Sequence, residues 1–235
     1  MTQPAPVLTI DGPSGAGKGA VSAAVAGSLG WNVLDSGAVY RAVALAALER
    51  GLSATDTDAL VGLAGGLQLS FNAGDDGIDV YLDSRDVGAA LRTEAVSVMA
   101  SRVASIPAVR EALLALQRGC RRPPGLVADG RDMGTIVFPD AELKLFLEAS
   151  VEERAKRRYK QLKQKGESVI LPRLLRDMQA RDRRDRERRV APTVAAPDAV
   201  VVDSTRLSLD EVIERVIGLV HDRIDPVPRE RSQDE

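Results

Sequence analysis

The sequence predicts an α/β fold in three layers: a five-stranded parallel core sheet with helices on both faces and a small antiparallel β insert. Three observations predict it. Five short apolar runs, at 7–10, 31–34, 126–128, 143–147 and 200–202, alternate with helical patterns, and each parallel return between strands needs a crossover of that kind. The first run feeds a glycine-rich loop and then a helix, a strand–loop–helix unit. Between Leu67 and Val87 the period changes to alternation about a turn, the mark of an inserted hairpin.

Taken in order, residues 7–10 end at Asp11-Gly12-Pro13, so a buried strand opens into a loop. Residues 18–29 are rich in Ala and Val and stop at Gly30, a helix with its terminator. The run 31–34 ends at Asp35-Ser36-Gly37. A helix follows to Arg50, stopped by Gly51, and another spans 56–67. Leu67, Leu69 and Phe71, then Ile78, Val80 and Leu82, alternate on either side of the turn "NAGDDG", with a third strand at Asp86-Val87. Helices follow at 92–106 and 107–119, the second started by Pro107. The strand 126–128 ends in Asp129. Ser150-Val-Glu-Glu153 reads as a capping box. It opens a basic helix to Lys165, stopped by Gly166, and 173–190 is a second, denser charged helix. Ser208-Leu-Asp-Glu211 caps a last helix to Ile224. Residues 1–224 make one domain, and 225–235, with two prolines, read as a loose tail.

Lys and Arg number 32 against 34 Asp and Glu, a net charge of −2, which argues against a general nucleic-acid binder. The single Cys120 cannot form an intrachain disulfide, and one Cys with one His, His221, supplies neither a zinc site nor histidine-based chemistry. The start, MTQPAPVLTID, has neither a basic flank nor an apolar signal segment. No stretch approaches the roughly 18 apolar residues of a membrane span. A soluble, cytoplasmic, monomeric protein is expected, with no nucleic-acid or membrane partner.

The stretch "GPSGAGKGA", Gly12 to Ala20, carries Gly-x4-Gly-Lys between a strand and a helix. Gly12, Gly15 and Gly17 let the backbone close on an anion with its N–H groups inward, and Pro13, Ser14 and Ala16 complete the loop. The helix N-terminus adds positive potential, and Lys18 reaches the β- and γ-phosphates of a nucleotide as a point charge. The motif normally closes with a Ser or Thr hydroxyl on the nucleotide's magnesium. Here that place is Gly19, followed by Ala20, so neither can coordinate a metal through a side chain. Mg2+ keeps several waters; it can ride on the phosphates while a distant carboxylate orders one of them. Asp129, at the end of an apolar strand, is the candidate, and Ser14 is a second hydroxyl within the loop.

Phosphoryl transfer between two nucleotides gathers negative charge, so its catalysis is mainly positioning and neutralisation. From 173 to 189 eight arginines stand against four acids. Arg181, Asp185 and Arg188 are spaced i, i+4, i+7, which puts a carboxylate between two guanidinium groups on one helix face. A solvated charged helix and an RNA-binding arm are the other readings of such a run. Interleaved acids and the want of aromatic stacking residues weaken the second. "DGRDMG" from Asp129 and "DSGAVYR" from Asp35 both follow core strands, at the end where parallel sheets bind ligands.

The combination "TIDGPSGAGKG", "LDSGAVYR", "ADGRDMGT", "ARDRRDRERRVAP" and "VVDST" closely resembles the bacterial cytidylate kinases, over nearly the whole chain from Val7 to Ile224. A Gly-Lys-Gly ending is also found in nucleoside monophosphate (NMP) kinases, usually with Thr next, so Ala20 departs from that pattern. The resemblance implies a P-loop kinase that transfers the γ-phosphoryl of ATP, with Mg2+, to CMP or dCMP in pyrimidine nucleotide metabolism. It implies an NMP-binding lobe at about 37–110 carrying the insert at 67–87, and a mobile helical lid at about 150–189. Residues 12–20 would bind ATP, and Lys18, Arg131, Arg188 and Asp129 would serve the transfer. Ser101, Arg110 and Asp132 would contact cytosine. Ser36, Arg41, Arg131 and Arg188 would hold the monophosphate, and Arg181 and Asp185 the ribose. The base assignment has chemical sense: the exocyclic amino donor suits Asp132, and the N3 and O2 acceptors suit Arg110 and Ser101. Uracil would turn a carbonyl towards Asp132, a mismatch that discriminates strongly when buried. Adenylate or shikimate kinase is the alternative within the fold class; the insert and the loop from Asp129 to Gly134 speak against it. A GTPase-like switch would need an Asn/Thr-Lys-x-Asp motif, which the sequence lacks.

Overall fold

The structure is a computed structural model, and it describes residues 4–224 except 75, 76, 165, 167 and 189. The expected tail at 225–235, the two aspartates of the "NAGDDG" turn, the Lys165 end of the basic helix, and Arg189 lie outside the described residues. In chain order the elements are β1 (Val7–Asp11), α1 (Lys18–Leu29), β2 (Asn32–Asp35), α2 (Ser36–Glu49), α3 (Thr57–Gly66), β3 (Leu69–Gly74), β4 (Gly77–Leu82) and β5 (Arg85–Asp86). Then come α4 (Gly88–Leu91), α5 (Glu94–Val103), α6 (Pro107–Arg118), β6 (Leu126–Asp129), a single π turn (Met133–Val137) and β7 (Leu143–Glu148). α7 (Val151–Gln164), α8 (Leu171–Arg186), β8 (Val200–Asp203) and α9 (Leu209–Arg223) complete the chain.

β2, β6, β1, β7 and β8 lie in that order in one parallel sheet. Its central strands are covered on both faces, so they read as near-continuous apolar runs, interrupted by Thr9 and Lys144, rather than alternations: Val7, Leu8, Ile10, Leu126, Val127, Leu143 and Leu145 are all buried. α1 and α9 pack on each other and on the sheet, while α2 packs on α5 and α3 on α6. The insert β3–β4–β5 is antiparallel, with Leu69 opposite Leu82 and Phe71 opposite Val80. Ile78, Val80 and Leu82 are its buried face, and the hairpin lies against α1 and β2.

Four local expectations are corrected. The third insert strand is Arg85–Asp86 rather than Asp86-Val87, and buried Val87 leads into the short α4. The helix expected from Arg92 begins at Glu94, after that extra turn. The Ser150 capping box is only half formed. Ser150 Oγ accepts from the Glu153 N–H at 3.2 Å, but the Ser150 N–H turns to Thr205 Oγ1 at 3.0 Å, because Arg157 claims the Glu153 carboxylate at 3.1 Å. The Ser208 box forms in full. Finally, the dense charged helix spans Leu171–Arg186 and stops before Arg188.

Candidate active site

The neighbouring strands β2, β6 and β1 each end in an aspartate. The register sets Asp35 beside Asp129, and Asp129 beside Ile10, one residue short of Asp11. Three carboxylates therefore line the C-terminal edge of the sheet, where parallel sheets open to ligands. The glycine loop leaves from this edge. Gly12 has φ +146°, and a Cβ there would stand 2.0 Å from the Leu147 carbonyl oxygen, so only glycine passes. Gly17, at φ +95°, turns the chain into α1.

Lys18, buried, folds back over the loop. Its Nζ donates to the Pro13 carbonyl at 3.1 Å and stands 3.7 Å from Asp129 Oδ1. Burial, reinforced by the nearby Arg131 cation, pulls the Lys18 ammonium down to about 8 against the attraction of Asp129 and Asp11. Burial pushes the Asp129 carboxyl up, against the pull of Lys18. A Cβ on Gly19 would lie 3.5 Å from Asp129 Oδ2, so this carboxylate borders the position where the motif's hydroxyl is missing.

Asp185, buried on α8, gathers three arginines. Arg188 Nη2 donates to it at 2.6 Å, Arg131 Nε at 3.5 Å, and Arg181 Nε stands at 4.0 Å. The grouping expected from sequence is thus present, but Arg188 does not reach it along a helix face. The chain turns back after α8 through Ala191, at φ +53°, and the Thr193 N–H returns to the Asp185 carbonyl at 3.0 Å. Pro192, with no N–H, cannot continue the helix. Arg41, on α2, donates to Asp35 at 2.7 Å. The Nε atoms of Arg41 and Arg181 are buried without a hydrogen-bond partner. Burial and the Arg131 cation lower Arg181 to about 10. Cations crowded until they depress one another, with donors left over, make a site for an anion.

Arg110, in the first turn of α6, pairs with Asp132 and lies 5.5 Å above the Tyr40 ring. Asp132 is buried, and burial raises its pKa against the pull of Arg110. Ser101 sits half-buried on α5, the helix packed against α2. Ser36 Oγ donates to Gln117 Oε1 at 2.7 Å, so this hydroxyl is engaged by α6.

The structure thus joins Lys18 with Asp129, Arg131 with Arg181, Asp185 and Arg188, and Arg110 with Asp132. Sequence reasoning missed Asp11, Asp35, Tyr40, Gln117, Arg154 and Asp182. Arg154, only 2% exposed, donates Nη1 to the Ser14 carbonyl at 2.9 Å and holds Asp182 at 3.1 and 2.5 Å. The available signals were an aspartate ending each of three core runs, and an arginine one turn into a helix where an apolar residue should pack.

The family pattern described as cytidylate kinase matches residues 8–222. The chain is 58% identical over 220 residues to the cytidylate kinase of Methylococcus capsulatus, covering 94% of this chain and 99% of that one. It is 55% identical over 222 residues to the cytidylate kinase of Serratia proteamaculans, covering 94% and 97%. A crystal structure of an uncharacterized protein from Eubacterium ventriosum matches with a TM-score of 0.51 at 10% identity, over 93% of this chain and 99% of that one, a likeness of fold alone. No helix among the described residues is long and apolar enough to cross a membrane. With a match over nearly its whole length, the chain belongs to the cytidylate kinase family.

Proposed function

We propose that the chain is a (d)CMP kinase, transferring the γ-phosphoryl group of ATP to CMP or dCMP to give ADP and CDP or dCDP, in the cytoplasm. The observation that carries this reading is the convergence of buried Lys18 with Arg131 at one sheet edge and, through Asp185, with Arg181 and Arg188. In this reading the loop 12–20 wraps the ATP phosphates, with Lys18 against the β- and γ-oxygens. Arg41, Arg131 and Arg188, with Ser36, hold the CMP phosphate; Arg181 and Asp185 hold the ribose. Ser101, Arg110 and Asp132 read the base. A CMP phosphate oxygen attacks the γ-phosphorus, the bond to the bridging oxygen breaks, and its electrons leave on ADP. Arg131, which in the free protein donates to the Gly130 carbonyl at 3.1 Å and to Asp185 at 3.5 Å, shifts onto the equatorial oxygens of the transferred group, where charge neutralisation counts most. The helices at about 150–189 act as the lid and the region 37–110 as the acceptor lobe, and their closure keeps water from the γ-phosphate.

Mg2+ accompanies ATP in this reading. Among the described residues no three His, Cys, Asp or Glu side chains form a metal-binding group, and Gly19 and Ala20 offer no hydroxyl. Asp129, whose Oδ2 borders Gly19 where the hydroxyl is missing, is the residue that would hold the ion, through water; the ion would supply charge neutralisation on the phosphate oxygens.

The test is a coupled kinase assay over CMP, dCMP, UMP, AMP and shikimate. CMP and dCMP are expected to be preferred, and Asp132→Asn is expected to narrow the gap in kcat/KM between CMP and UMP by about tenfold or more. A preference for AMP over CMP would end the specificity assignment. An unchanged ratio in the variant would remove Asp132 from base recognition.

A further inference from the structure

We propose that Asp11 is a positioning residue for the acceptor-base loop: its carboxylate, at the end of β1, holds the two amides that follow Asp132 and so sets where Arg131 and Asp132 stand. This rests on the assignment of Asp132 to the base. Asp11 is buried, and its two oxygens are both spent on backbone. Oδ1 accepts from the Met133 N–H and Oδ2 from the Gly134 N–H, each at 2.8 Å. No Lys or Arg among the described residues forms an ion pair with it.

The π turn explains why those amides need it. Its own bonds run from the Ile136 and Val137 N–H groups to the Asp132 carbonyl, at 2.9 and 3.2 Å, and from the Phe138 N–H to the Met133 carbonyl at 2.7 Å. The amides of Met133 and Gly134 therefore find no acceptor within the turn, and both residues are buried. The turn is also pressed against β1: a Cβ on Gly134 would stand 2.8 Å from Thr9 Oγ1. Asp132 is consequently clamped twice, through its following peptide by Asp11 and through its side chain by Arg110.

A carboxylate is an expensive choice for a merely structural prop, since burial drives Asp11 up to about 7. Its chemistry supplies the reason. Two parallel N–H donors need two acceptors on one short side chain, and only a carboxylate has them; asparagine would set an NH2 against an N–H. Asp11 also immediately precedes Gly12. Its side chain thus ties the acceptor loop to the strand from which the phosphate loop leaves.

The test is Asp11→Asn, assayed beside Asp132→Asn, with amide hydrogen exchange at Met133 and Gly134. Faster exchange at these two amides is expected, with the KM for CMP raised about tenfold or more and the KM for ATP within about twofold of the parent. The CMP to UMP ratio of kcat/KM should fall as well. Unchanged exchange and an unchanged KM for CMP would overturn the proposal, as would an equal rise in both KM values. If Asp132→Asn leaves the CMP to UMP ratio intact, the base assignment fails. Asp11 is then judged on exchange and on the split between the two KM values, because Arg131 shares the loop. Should Asp11→Asn not fold, Gly134→Ala pushes the turn off Thr9 from its other side and must give the same split.

Discussion

At Lys18 two demands conflict. The transferred phosphoryl group needs a cation, yet burial and the Arg131 cation pull the ammonium from 10.5 to about 8. As pH rises through about 8, the free enzyme loses this charge. kcat/KM for ATP, which reports free-enzyme ionisations, is therefore expected to fall about tenfold per pH unit above that point. Bound phosphates favour the charged form, so the same limb in kcat lies at higher pH. Lys18→Arg should remove the limb; a parent profile flat to pH 10 would contradict the assignment. The stability contribution has the opposite slope. Between about 8 and 10.5 the unfolded chain binds more protons at this lysine, so this group adds to stability as pH rises through that window. Lys18→Ala is expected to lower kcat by about two decades, as for other donors aimed at a developing charge, in the coupled assay; full activity would show that the loop is not catalytic. Lys18 was legible because its motif is contiguous. Asp11 and Asp35 were not, because an aspartate at a strand end has the signature of an ordinary turn residue. Only the register of three strands shows that they line one edge.

α7 and α8 pack as a helical pair joined by a buried ion pair, Arg154 with Asp182. Arg154 uses Nε on the Ala149 carbonyl at 2.9 Å, Nη1 on the Ser14 carbonyl, and both Nη atoms on Asp182. One side chain thus ties both helices to the phosphate loop. Removing the acid leaves that cation buried and uncompensated, so Asp182→Ala is expected to cost about 3–5 kcal/mol, read as a drop in Tm. Asp177→Ala breaks an exposed pair with Arg173 at 3.9 Å and is expected to stay within about 0.5 kcal/mol. Equal losses would show that the Arg154 junction carries no special weight. The long, strongly patterned elements were legible: α1 runs from Lys18 to Leu29, as the Ala/Val pattern bounded by Gly17 and Gly30 dictates. The charged helices α7 and α8 were less so. Periodicity presumes that a helix continues, and α8 stops at Arg186, so Arg188 meets Asp185, three residues back, from just beyond the helix end. The π turn was invisible for a related reason: its buried amides are satisfied by Asp11, 122 and 123 residues away in the chain.

Across the whole molecule, a chain with a net charge of −2 concentrates cations in one cleft drawn from widely separated segments. In the structure, acids of the chain answer those cations: Asp35 holds Arg41, Asp132 holds Arg110, and Asp185 serves Arg131, Arg181 and Arg188. In the proposed reading, substrate anions compete with these internal partners. A first nucleotide that draws Arg131 or Arg188 away from Asp185 thereby spends part of the cost of reorganising α8, and the second then binds a cleft already rearranged. Coupling between ligands is reciprocal, so it can be measured from either side. A non-hydrolysable ATP analogue is expected to tighten CMP binding by about fivefold or more, and CMP to tighten the analogue by the same factor. Titration calorimetry on the full chain checks both arms. Arg188→Ala, which removes a link between α8 and the acceptor side, should bring the factor towards unity while leaving binding of the analogue alone near the parent value. If the two ligands bind independently in the parent protein, the arginines of α8 do not serve a shared cleft, and the charge they gather around Asp185 is structural rather than catalytic.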